Sequence, residues 1–200
     1  MAAAPELLTA TEYLRAERLS ETKHEFVGGR INAMAGASER HNLISLNVGA
    51  ELRSQVRGRP CRVYPSDMRV KMPMRGSYTY PDVTVVCGKP QFEDDDRDTL
   101  LNPTVIVEVL SKSTESYDRG QKFQNYRTLA SLQEYVLIAQ DAHRIEHYAR
   151  QPQGQWLLTE AAGLTEVMHL PAIECTLALA DVYEKVDIEP TAGELSEDQR

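Results

Sequence analysis

Residues 80–126 read YPDVTVVCGKPQFEDDDRDTLLNPTVIVEVLSKSTESYDRGQKFQNY. Two runs within this stretch, VTVVC at 83–87 and TVIVEVL at 104–110, have the length and β-branched content of buried strands. Each is tied to a carboxylate, Asp82 at the entrance of the first and Glu108 inside the second. A carboxylate inside an apolar strand is costly unless something pairs it. The cheapest partners are a cationic side chain or a divalent metal ion. Lys122, on the segment that follows, can supply the first, and Asp82 with Glu108 can hold the second. The chemistry is expected here.

Period-two alternation puts Val105, Val107 and Val109 on one face of the second strand and Ile106, Glu108 and Leu110 on the other. On neighbouring strands, Asp82 and Glu108 then face one cleft. Oxygen ligands from different strands suit a hard cation, Mg²⁺ with Mn²⁺ as substitute, which takes one or two carboxylates and keeps several waters. A helix starting between Thr114 and Arg119 and running to about Leu129 sets Asp118, Lys122 and Tyr126 at i, i+4 and i+8, on one face. A lysine beside such a site can orient a water and neutralise charge developing on a phosphate. Each residue alone has a plainer reading: Asp82 as a strand-entry residue, Glu108 with Lys122 as a structural ion pair, Lys122 as a solvated helix residue. Their joint occurrence on adjacent elements favours a site.

Around this stretch, the pattern predicts a short helix from Thr9 to Leu19, capped by Thr9 or Thr11, with Tyr13, Leu14 and Ala16 inward. HEFVGGRINAMAG reads as a hairpin turning at Gly28-Gly29. A longer helix from Ser38 to about Arg57 buries Leu43, Leu46, Val48, Ala50 and Leu52 and stops at Gly58 and Pro60. CRVYPSDMRVKM is the next strand, or a strand with a break at Pro65. Further strands are expected at 134–139, 144–148, 155–159, 166–169 and 173–175, with a small helix near 179–185. The chain divides into one domain, 1–185, and an acidic, disordered tail, 186–200. There is no internal repeat.

The chain has 200 residues, 42% of them hydrophobic, enough for one domain with a real core. The net charge of −8 weighs against nucleic acid, but the tail and the loop Glu93–Asp98 carry −4 each, which leaves the body neutral. Local basic residues decide binding: Arg40, Arg53, Arg57, Arg59, Arg69 and Lys71 are candidates, and Arg119 and Arg127 flank Lys122. The acidic loop itself reads as a solvated connector. Cys61, Cys87 and Cys175, far apart and odd in number, read as small buried hydrophobes of a reducing compartment, and the cytoplasm is the expected location. No apolar run approaches membrane-spanning length, and residues 1–14 lack the pattern of a signal peptide. His143 and His147 can share a strand face but have no third ligand nearby. His41, at a helix start, reads as a capping or surface residue with substrate contact as the alternative. No histidine accompanies Ser111, Ser113 or Thr114, so no activated nucleophile is expected.

The PD of YPDVTVVC, followed by a glutamate within an apolar strand, resembles the PD-(D/E)XK nuclease superfamily. More narrowly, YPDVTVVC, VIVEVLSKSTESYDRGQKFQNYR and SLQEYVLI resemble the Uma-type endonuclease family from Thr9 to Tyr183. The resemblance implies an α/β, restriction-endonuclease-like three-layer core, a central mixed β-sheet flanked by helices, with Asp82 and Glu108 as metal ligands. The superfamily signature has lysine two positions after the glutamate, where this chain has Leu110. Lys122 matches the lysine moved to the next helix, with Lys112 as its rival. Glu25 in KHEFVGG matches an early carboxylate, a third metal-site group, and Asp67 is peripheral. The expected activity is Mg²⁺-dependent endonucleolytic hydrolysis of DNA through an activated water, by Asp82, Glu108, Lys122 and Glu25. The alternative is a nuclease-like module that binds nucleic acid or protein without cutting. A two-fold homodimer would bring two sites to a duplex.

Overall fold

A computed structural model describes residues 7–188 of the chain. Thr9 caps α1 (Ala10–Glu17) in a reciprocal box with Glu12, and the chain then forms a hairpin of β1 (His24–Val27) and β2 (Arg30–Ala33). Gly28 and Gly29 both have positive φ, 59° and 86°, as a two-residue turn matched to strand twist requires. Next come α2 (Glu39–Gln55), β3 (Cys61–Pro65), β4 (Arg69–Met72), β5 (Ser77–Thr79), β6 (Val83–Cys87), β7 (Thr99–Leu100) and β8 (Val105–Val109). A helical passage follows, made of α3 (Glu115–Tyr117), a π-helical turn (Asp118–Lys122) and α4 (Phe123–Tyr126). The chain closes with β9 (Glu134–Ile138), β10 (Arg144–Arg150), β11 (Trp156–Ala162), β12 (Val167–Leu170), β13 (Cys175–Ala178) and α5 (Leu179–Val182).

The two β-branched runs form the middle of a six-stranded mixed sheet, ordered β11-β10-β9-β8-β6-β3, in which only β8 and β9 run parallel. The alternation along β8 holds. Val105, Val107 and Val109 pack with Ile44, Val48 and Leu52 of α2 and with α5, whereas Ile106 and Leu110 pack with Tyr126, Tyr135, Val70 and Met72. The fold is thus α/β, with helices on one face of a mixed sheet and the 115–126 passage on the other. A second sheet, β2-β1-β5-β4-β7, packs on that other side and was not expected. It arises because CRVYPSDMRVKM breaks at a turn after Pro65, sending β3 to one sheet and β4 to the other.

Several expectations change. In α2 the inward residues are Ile44, Val48 and Leu52, and Leu46 is 67% exposed. In α1 the buried positions are Tyr13, Leu14 and Glu17, while Ala16 is exposed. The cysteine reading is corrected. The antiparallel register sets Cys61 opposite Cys87, Cα atoms 4.0 Å apart, and the two form a disulfide, leaving Cys175 buried and free. Nothing in their sequence separation of 26 announces a pairing that the strand register creates. The acidic loop is a clasp rather than a solvated connector. Arg18 bonds Asp94, Asp96 and Asp98 at 2.7–2.8 Å, Asp98 also holds the buried Arg69, and Glu93 holds Lys71. Arg69 and Lys71 are therefore spent inside the protein. Of the expected acidic tail, residues 189–200 lie outside the described residues, while Val186 is buried and Ile188 packs on the core.

Candidate active site

The register that pairs Val83 with Val107 sets Asp82 across from Glu108 when continued one step. Glu108 is 4% exposed and stands where β8 faces the helical passage. Lys122 reaches it from the π-helical turn. Its Nζ lies 2.9 Å from Glu108 Oε1, 3.1 Å from Glu25 Oε1 and 3.4 Å from Asp118 Oδ1. The wider turn keeps Asp118, Lys122 and Tyr126 aimed at one point, and such turns recur at functional sites. The Tyr126 hydroxyl donates to Glu108 Oε1 at 2.9 Å and lies 2.8 Å from the Thr79 hydroxyl, which donates in return. The Tyr117 ring lies 5.9 Å from the ammonium, and the Tyr135 hydroxyl donates to the Asp118 carbonyl at 3.1 Å. Glu25 sits on β1 of the second sheet, so this ammonium joins both sheets.

Burial disfavours every ion here, and the carboxylates outnumber the ammonium. Burial pushes Glu108 well above the carboxylate range; Lys122 pulls it back while Asp118 and Asp82 push it further up. Asp118 rises for the same first reason, opposed by Lys122. For Lys122 burial works against the charge, but Glu108, Tyr126, Glu25 and Asp118 outweigh it and hold the ammonium protonated. Burial also drives Tyr117 up to about 12.

Asp82 is tied on one oxygen. Its Oδ2 accepts the Val109 N–H at 2.7 Å and lies 3.2 Å from His41 Nε2, which leaves Oδ1 outside these contacts. Burial lowers the His41 pKa, but the hydrogen bond and charge of Asp82 prevail and raise it overall. The sequence reads His41 as a capping or surface residue, with substrate contact as the alternative; the cap is Ser38, and His41 lies against Asp82. Asp118, Thr79 and Tyr117 are further members of the cluster. Only Asp118 had a signal, its spacing from Lys122. Lys112 is exposed and takes no part, and Asp67, paired with Lys23 at 3.0 Å, has a side chain 85% exposed. Arg119 is bound to Glu115 and Glu146.

Among the described residues, no three His, Cys, Asp or Glu side chains already converge as metal ligands. The donor chemistry still fits a hard cation. Asp82, Glu108 and Glu25 offer carboxylate oxygen only, and the cluster carries an excess of negative charge that a divalent ion would relieve.

A helix-flanked mixed sheet with facing carboxylates at its strand ends and a buried lysine defines a restriction-endonuclease-like α/β protein. Residues 10–180 match the Uma2 family, described as "Putative restriction endonuclease", and the chain belongs to that family. It is 43% identical over 161 residues to the uncharacterized protein sll1609 of Synechocystis sp., covering 80% of this chain and 91% of that one. A second Synechocystis protein, the uncharacterized slr1290, is 33% identical over 181 residues, covering 88% and 91%. The fold is similar to the crystal structure of a protein from Anabaena variabilis titled a putative nuclease belonging to DUF820, with a TM-score of 0.73. That likeness covers 88% of this chain and 97% of the other at 18% identity, and shows the fold.

Proposed function

We propose that this protein is an endonuclease that hydrolyses phosphodiester bonds of DNA, with Mg²⁺ as cofactor and Mn²⁺ as substitute. The observation that carries the reading is the buried Lys122 held among Glu108, Glu25 and Asp118, with Asp82 set across from Glu108. Asp82 and Glu108 would hold the cation, with Glu25 assisting. A divalent ion there supplies Lewis-acid polarisation of the attacking water and of the phosphoryl group. Lys122 orients the water and offsets negative charge as it builds on the phosphate. Tyr126 fixes Glu108 through Oε1. His41 and the Val109 N–H fix Asp82 through Oδ2, which leaves Oδ1 outside these contacts as the oxygen that would serve a cation. Lys122 spans Glu25 and Glu108, so the carboxylates that would hold a cation are the same ones that bind its ammonium. No covalent intermediate is required. A two-fold dimer would present two such sites to a duplex.

The test combines calorimetric titration of Mn²⁺ with cleavage of supercoiled DNA, using wild type and the folded variants Asp82→Ala and Glu108→Ala. Binding and cleavage lost in both variants support the reading. An Asp82→Ala protein that folds and cuts at the wild-type rate sinks it. A second reading, a module that binds nucleic acid or protein without cutting, is favoured by one contact, the Glu108–Lys122 ion pair that satisfies the strand carboxylate without a metal. DNA retained by the wild type but not cleaved in either cation would select it. Among the described residues no helix is long and apolar enough to cross a membrane. A cytoplasmic location rests on composition, and the Cys61–Cys87 disulfide is the feature that argues for a less reducing one.

A further inference from the structure

Far from Asp82 lies a second concentration of charge of the opposite sign. Asp82 stands beside the Pro65–Val83 end of the β3–β6 ladder, and Cys61–Cys87 closes the other end. The helix α2 follows the same course, from His41 beside Asp82 to Gln55, a run of about 20 Å at the usual rise per residue. At this far end Arg53, Arg57, Arg59 and Arg62 line a cavity of about 420 Å³ together with Cys61 and Val63. Arg59 is partly engaged, by the Ile173 carbonyl and by Glu174 at 3.7 Å, and Arg62 by the Gly88 carbonyl at 3.3 Å. Arg53 and Arg57 have no ion-pair or side-chain hydrogen-bond partner among the described residues. Arg53 and Arg57 are exposed, and four guanidiniums along one wall give the cleft a local positive potential in a chain of net charge −8, which favours an anionic reactant. What distinguishes this cavity from an ordinary basic patch is that one half of the disulfide is part of its wall, on the edge strand of the sheet.

We infer that the cavity is a thiol–disulfide exchange site, in which the arginines capture a small anionic thiol and deliver its sulfur to Cys61 Sγ. The thiolate attacks Cys61 Sγ, the Cys61–Cys87 bond breaks, and the electron pair leaves on Cys87 Sγ, which takes a proton from water. A second thiolate attacks the mixed disulfide, releasing Cys61 as a thiolate that is protonated in turn. Two small thiols are thus oxidised to one disulfide while the protein gains two electrons and two protons. The direction of attack follows from access, because Cys61 lines the cavity and Cys87 does not. Selectivity follows from charge, since a basic cleft raises the local concentration of an anionic reactant by tenfold or more at low salt, roughly, and screening removes the effect. The inference does not rest on the nuclease reading, since none of these residues belongs to the Asp82–Glu108 cluster.

The experiment measures reduction of the oxidised protein by glutathione, which is anionic, 2-mercaptoethanol, which is neutral, and cysteamine, which is cationic. Rates are normalised to thiolate concentration and repeated at low and high salt. Peptide mapping first verifies the Cys61–Cys87 linkage. The expected result is a preference for glutathione of about tenfold at low salt, lost at high salt. It should also be lost in Arg53→Ala/Arg57→Ala, whose reduction by 2-mercaptoethanol stays unchanged; this neutral thiol reports whether the variant keeps its fold. Trapping with iodoacetamide should find the mixed disulfide on Cys61. Equal rates for the three thiols, a preference that survives the double substitution, or an air-oxidised protein without the linkage would each overturn the inference.

Discussion

Two regions of the molecule gather carboxylates around basic side chains, and they do so to opposite effect. In the acidic loop, Asp94, Asp96 and Asp98 meet Arg18, Asp98 also meets Arg69, and Glu93 meets Lys71. Sign is matched by sign, and the Asp98 carboxyl is held well below the usual range, first by the hydrogen bond from Arg18. At the candidate site Glu25, Glu108 and Asp118 share a single ammonium in near-complete burial, and Glu108 and Asp118 are driven upward. The first arrangement is solved by the fold alone. The second has more carboxylates than cations, and burial drives Glu108 and Asp118 toward their neutral forms, the kind of perturbation that marks a candidate functional site.

The largest effect should come from removing the one cation at the site. Lys122→Ala strands buried carboxylates and should cost about 3–5 kcal/mol in urea unfolding, whereas breaking an exposed pair costs far less. A loss under about 1 kcal/mol would mean that the cluster opens to water readily. Glu108→Gln should do the reverse, raising stability near neutral pH by about 1 kcal/mol while abolishing cleavage. In the clasp, Arg18→Ala should cost about 1 kcal/mol, because its partners are partly solvated.

The pH dependence sharpens the contrast and is the smallest of these effects near neutrality. Asp98 has a depressed folded pKa, so its contribution is complete above the unfolded carboxylate value and is lost as pH falls toward the folded one. Glu108 and Asp118 have raised folded pKa values, so the folded protein binds more protons than the unfolded, and stability falls as pH climbs above the ordinary carboxylate range. Unfolding curves from pH 3 to 8 should therefore show Asp98→Asn flattening the acid limb, and the advantage of Glu108→Gln shrinking toward low pH. Parallel curves for both variants would erase the distinction between the two regions.

Much of the candidate cluster was legible because it is written in short-range patterns. Alternation along β8 turned Glu108 away from Val107 and Val109, and the spacing of Asp118, Lys122 and Tyr126 survived a π-helical turn in place of the regular helix. What escaped depends on tertiary placement. His41 meets Asp82 only because the start of α2 lies by the start of β6, and the Cys61–Cys87 pair exists only through strand register. The second sheet escaped for a similar reason. Its β1, β2 and β4 fall within segments that read as strands, but β5 and β7, three and two residues long, are too short for a periodicity to show, and the pairings that join the five are tertiary.

Lys122 is also a mechanical element. Its ammonium grips Glu25 on one sheet and Glu108 on the other, and the Tyr126 hydroxyl repeats the tie by linking Glu108 to Thr79. Two sheets that share no strand are thus riveted at a single buried charge. Whatever draws that charge away from Glu25 loosens the joint between them, so the state of this cluster and the relative freedom of the two sheets are one variable, read at two scales.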